Sequence, residues 1–140
     1  MKRTLIVIAL LLGGYLAAFG QEFERMVFTA EDGTELNYRL LRPAETAKAK
    51  KFPLIIFLHG LGERGTDNDR QLTWGGNMFL NPVNMEKYPA YVLFPQCPET
   101  AFWAYKDIPA SFDALDAEEQ MPAPFKAVKE MIDTYLTYPD

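Results

Sequence analysis

The chain has one serine, one histidine and one cysteine: Ser111, His59 and Cys97. One cysteine forbids an internal disulfide. Cys97, in F-P-Q-C-P, is therefore either a buried structural thiol or a half-cystine with an outside partner, and no flanking base makes it a nucleophile. Positive charge is also scarce. With 14 Lys and Arg against 19 Asp and Glu, the net charge is −5, which argues against nucleic acid as a partner. No dense set of metal ligands stands out: Asp67 and Asp69, in D-N-D, lack the spaced carboxylates and closing glutamate of a calcium loop, and read as caps or solvated charges. The longest apolar run near the start, residues 5–12, is too short to span a membrane comfortably.

That run follows Lys2 and Arg3 and precedes Ala18-Phe19-Gly20, the pattern of a secretory signal peptide over residues 1–20 with cleavage before Gln21. The expected location is periplasmic or extracellular, with no stable membrane span after cleavage. Removing Lys2 and Arg3 and no acidic residue takes the net charge from −5 to −7. The remaining 120 or so residues can build one small core, and the content of 49% hydrophobic and 14% aromatic residues excludes general disorder.

The most informative stretch is P-L-I-I-F-L-H-G-L-G-E-R-G from Pro53 to Gly65. Residues 54–58 are apolar without alternation, which predicts a strand buried on both faces in the middle of a parallel sheet. It breaks at His59-Gly60 into a loop in which Gly60, Gly62 and Gly65 allow positive φ or close backbone approach. Backbone N–H groups presented bare at the carboxyl end of such a strand suit a developing oxyanion; a tight turn without chemistry has the same spacing.

Upstream, residues 22–29 alternate, and Asp32-Gly33 signals a hairpin into residues 36–41, so an antiparallel edge hairpin is expected. Arg42-Pro43 ends it, and the lysine-bearing connection that follows reads as solvated surface. After Gly65 a turn-rich stretch carries Trp74 and Phe79, part of which must pack; a loop leading into a short helix fits. Glu63-Arg64 suggests an ion pair that stiffens the loop. Residues 91–94 read as a second strand, parallel to the first across a crossover, which sets both carboxyl-end loops on the edge where open α/β sheets bind ligands. Trp103 there reads equally as a substrate-pocket wall or an aromatic clamp on the core. An acidic loop containing Ser111 follows. From Met121, with Pro122 and Pro124 at its start, an amphipathic helix is expected with Phe125, Val128, Ile132, Tyr135 and Leu136 on its apolar stripe.

The pairing of P-L-I-I-F-L-H-G-L-G-E-R-G with Y-V-L-F-P-Q-C-P and Trp103 resembles the first half of a secreted α/β-hydrolase. The group is that of the phospholipase/carboxylesterase-like serine esterases, including dienelactone-hydrolase-like and polyhydroxybutyrate-depolymerase-like enzymes. The resemblance covers about residues 23–140 and implies an α/β fold over residues 21–140, cut before the nucleophile strand. It implies hydrolysis of carboxylic esters through an acyl-enzyme, without metal or organic cofactor. The substrate it implies is a small ester: glycan acyl, lipid or short-chain. It also implies an oxyanion hole using the N–H groups of Leu61 and Gly62, supported by His59 and Gly60. The triad is missing: Ser111 lacks the glycines of GxSxG, and His59 precedes any nucleophile, whereas the base in this fold comes last. Nucleophile, acid and base are all expected beyond Asp140. A prolyl-oligopeptidase-type peptidase is the alternative within the fold, and an exported glycan-binding module using Trp74, Trp103 and the tyrosines is the alternative outside it.

Overall fold

A computed structural model of the protein describes residues 21–44, 51–105 and 121–137. The expected leader, the acidic loop with Ser111 and the residues after 137 lie outside the described residues, as does most of the lysine-bearing connection.

The hairpin forms where its turn chemistry places it. Strands β1 (Glu24–Thr29) and β2 (Glu35–Leu41) pair antiparallel from Glu24 opposite Leu40 to Thr29 opposite Glu35. In the turn, Gly33 takes φ 84° and the Asp32 carboxylate accepts the Thr34 N–H at 2.8 Å, an Asx-type closure that Asp-Gly supplies cheaply. Strands β3 (Leu54–Ile56) and β4 (Tyr91–Pro95) pair parallel, as the two apolar runs imply, and the sheet order is β1-β2-β4-β3. The β3-to-β4 crossover holds two short 3-10 turns, Leu61–Glu63 and Arg70–Leu72, then helices α1 (Gly76–Phe79) and α2 (Pro82–Lys87). Asn81 caps α2 through the Val83 N–H, with Pro82 at the first helical position.

The sheet separates two apolar layers. On one face Leu36, Tyr38, Leu40 and Leu93 pack with Ala127, Val128 and Met131 of α3 (Ala123–Thr137). On the other, Leu41, Val92 and Phe94 pack with Phe23, Phe57, Leu72, Phe79 and Met85, and Phe57 stacks on Phe94 at 4.5 Å between centroids. β4 has neighbours on both edges and cover on both faces, so Val92, Leu93 and Phe94 are buried together.

Three expectations are corrected. The strand expected over residues 54–58 with both faces buried is β3, which ends at Ile56, lies at the sheet edge among the described residues, and has Leu54, Ile55 and Ile56 only half-buried. The apolar stripe of α3 keeps Val128, Ile132 and Tyr135 of the expected one but is shifted at its edges. Ala127 and Met131 sit at its centre, Phe125 is half-buried, and Leu136 is 69% exposed. Finally, Gly60, Gly62 and Gly65 are absent from the positive-φ residues. Gly65 does sit at a close approach: a Cβ there would lie 3.2 Å from Gln96 Nε2.

Candidate functional site: the turn at the carboxyl end of β3

Sheet pairing brings the ends of β3 and β4 side by side, and His59 binds them together. Its ring is buried, and both nitrogens are engaged by backbone: Nε2 accepts the Cys97 N–H at 2.9 Å, and Nδ1 donates to the Gly60 carbonyl at 2.6 Å. This pairing requires the neutral Nδ1–H tautomer, and burial moves the imidazole pKa below its ordinary value in agreement. The indole N–H of Trp103 donates to the His59 carbonyl at 3.2 Å, and the two rings meet edge to face. Trp103 is half-buried against the α3-side core. Cys97 is fully buried, and burial pushes its thiol up to about 11, which leaves it protonated and unreactive at neutral pH.

Beyond His59, Gly60 is extended at φ −80° and ψ −174°, and the chain turns at once into the 3-10 turn Leu61–Glu63. Glu63 N–H returns to the Gly60 carbonyl at 3.4 Å. The N–H groups of Leu61 and Gly62 have no acceptor among the described residues, as the first donors of any helical turn lack one within it. Leu61 is 65% exposed.

Arg64 holds the turn from the far side. Its Nε donates to the Leu61 carbonyl at 3.2 Å, its Nη1 donates to the carbonyls of Glu99 and Ala101 at 3.0 and 2.9 Å, and the guanidinium lies 4.6 Å over the Phe102 ring. The expected Glu63–Arg64 ion pair is therefore replaced. Arg64 satisfies three carbonyls, while Glu63 Oε1 accepts the Trp74 indole N–H at 3.0 Å. Trp74, expected to be near the packed part of this loop, is 68% exposed, and Phe79 does the packing.

The following loop is anchored to the sheet by polar groups. Asp67 Oδ1 accepts from the Asp69 and Arg70 N–H groups and from Gln96 Nε2, at 2.9, 3.0 and 2.8 Å. These donors hold its carboxyl at about 2. Asn68, at φ 55°, donates its N–H to Gln96 Oε1 at 2.7 Å and accepts Arg39 Nε through its carbonyl at 2.5 Å. Asp69 pairs with both Arg25 and Arg39, which accounts for Arg39 being buried on the sheet. Asp67 and Asp69 are thus consumed by internal donors, and the described residues contain no cluster able to hold a metal ion. Also among them, no helix is long and apolar enough to cross a membrane.

Sequence reasoning passed over Gln96 and the actual partners of Arg64. Gln96 gave a faint signal, being a fully polar residue beside an apolar strand. Arg64 gave none, because its acceptors lie 35 and 37 residues away.

No family model matches the chain, and no curated protein matches it. A solved structure does: the crystal structure of a thermostable esterase, with a TM-score of 0.67 and 33% sequence identity, over 82% of this chain and 30% of that one. The chain thus spans about a third of the length of the esterase it resembles. The mixed sheet, its order and this likeness make the fold α/β, the amino-terminal part of an α/β-hydrolase.

Proposed function

We propose that the chain is the amino-terminal part of an exported serine esterase and contributes one side of its oxyanion hole. The observation that carries this reading is the likeness to the thermostable esterase across 82% of the chain. The turn after β3 supports it, since at the carboxyl edge of the sheet the Leu61 and Gly62 N–H groups have no acceptor among the described residues. The nucleophilic serine, the acid and the base come from sequence beyond Asp140. The serine oxygen attacks the ester carbonyl carbon while the base takes its proton, and the carbonyl electron pair moves onto oxygen, where the N–H donors hold it. Collapse expels the alcohol, protonated by the base, and water then releases the acid from the acyl-enzyme by the same sequence of steps.

His59 takes no proton in this scheme. Its two nitrogens are already committed to Cys97 and Gly60, so its contribution is to hold the turn. Labelling with a fluorophosphonate tests the reading on the protein expressed from its whole reading frame. Stoichiometric modification of one serine beyond Asp140, with loss of 4-nitrophenyl acetate hydrolysis, is expected. Hydrolysis that survives full labelling, or a protein that neither labels nor hydrolyses, contradicts it.

A further inference from the structure

Beside the turn carrying Leu61 and Gly62, an exposed indole is hydrogen-bonded to a carboxylate. Trp74 keeps 68% of its surface exposed, and its Nε1 donates to Glu63 Oε1 at 3.0 Å. Its neighbour Gly75 fixes the backbone below: at φ 91° it sits against the Phe57 ring, where a Cβ would come within 3.0 Å of Cε2. The second carboxylate oxygen of Glu63 lies over Gly60, where a Cβ would be 3.0 Å away, and has no donor among the described residues. Glu63 belongs to the same three-residue turn as Leu61.

Leaving a large indole in water forgoes much of the burial such a side chain usually supplies, and anchoring it there makes it a flat apolar surface beside an open acceptor. A ligand that matches both has an apolar face for the ring and a hydroxyl donor for the oxygen. A sugar ring offers both. An acyl chain offers no donor to the carboxylate, and a phosphate headgroup is repelled by it and by a chain of net charge −5. A quaternary ammonium is bound by several aromatic rings closing around it, and among the described residues one exposed ring stands hydrogen-bonded to Glu63.

We propose that Trp74 and Glu63 form a sugar subsite next to the oxyanion turn, so that the ester acted on is an acylated glycan. This rests on the esterase reading above. The sugar ring lies on the indole, a ring hydroxyl donates to Glu63 Oε2, and the acyl carbonyl reaches the Leu61 and Gly62 N–H groups.

The test compares kcat/KM on acetylated xylotriose and on 4-nitrophenyl acetate for the protein from the whole reading frame and for Trp74→Ala, Trp74→Phe and Glu63→Gln. Loss of one aromatic contact is expected to lower the preference for the sugar ester about tenfold in Trp74→Ala, with partial recovery in Trp74→Phe and a smaller fall in Glu63→Gln. Xylotriose itself should inhibit the parent competitively and Trp74→Ala much less. Equal loss on both substrates with unchanged xylotriose inhibition gives Trp74 a structural role and overturns the proposal. Turnover of 4-nitrophenyl acetate by the parent without turnover of acetylated xylotriose, or with a choline ester preferred over it, overturns the sugar subsite and leaves the esterase reading standing. Turnover of neither substrate removes both.

Discussion

At the scale of single residues, His59 explains why a chain with one histidine places it at the end of a strand. A buried Cys97 N–H needs an acceptor, and the neutral imidazole supplies it while its other nitrogen closes onto Gly60. His59→Ala should therefore destabilise the protein by about 1–3 kcal/mol, the cost of a buried donor left without a partner, measured by denaturant unfolding. The pH dependence has a definite sign. Burial lowers the folded-state pKa below the ordinary 6.5, so the unfolded chain binds the extra proton first. The stability is fully present above about 6.5 and is lost as the pH falls through the lower folded value. His59→Ala should flatten the unfolding free energy across that window; an unchanged slope contradicts the assignment. His-Gly at the end of an apolar run was readable as a turn at a sheet edge. The acceptor role was not, because Cys97 lies 38 residues away and comes within reach only through the parallel pairing of β3 with β4.

At the scale of elements, local chemistry carried well and phase did not. Asp32-Gly33 marked the hairpin, and two short apolar runs marked β3 and β4, because turn residues and strand composition act over a few neighbours. The helix α3 was legible as amphipathic, and Val128, Ile132 and Tyr135 of the expected stripe do pack on the core. That stripe took in the half-buried Phe125 and the exposed Leu136, however, and left out Pro124, Ala127 and Met131, which are buried. Period alone leaves the centre of an apolar face open by a residue either way. The small Ala127 settles it by letting the helix come close to Leu36 and Leu40 of β2. Met131→Ala should cost about 2–5 kcal/mol as a buried large-to-small change, whereas Leu136→Ala should stay within about 0.5 kcal/mol as an exposed one. Equal losses in the two variants contradict this orientation. The loop from Thr66 to Gln71 was the least legible element. Its role follows from Arg25 of β1, Asn37 and Arg39 of β2, and Gln96 just past β4 reaching it, and no local pattern encodes those partners.

At the scale of the whole molecule, the α/β-hydrolase fold expected from the sequence is the fold observed, and the likeness to the thermostable esterase extends over 82% of this chain and 30% of that one. Export is a separate proposal: mass spectrometry of the mature protein should find Gln21 at the amino terminus, and a retained Met1 contradicts it. The central claim is that the turn after β3 stabilises a developing oxyanion through its backbone. Leu61→Pro tests it with little disturbance, because Gly60 is already extended and position 61 opens a helical turn, where a proline fits and only the N–H is lost. The decisive measurement is kcat for 4-nitrophenyl acetate in the protein from the whole reading frame, with and without this substitution. A fall of about 10²-fold or more with unfolding behaviour unchanged is the result expected for one lost oxyanion donor, and an unchanged kcat in a folded variant contradicts the account.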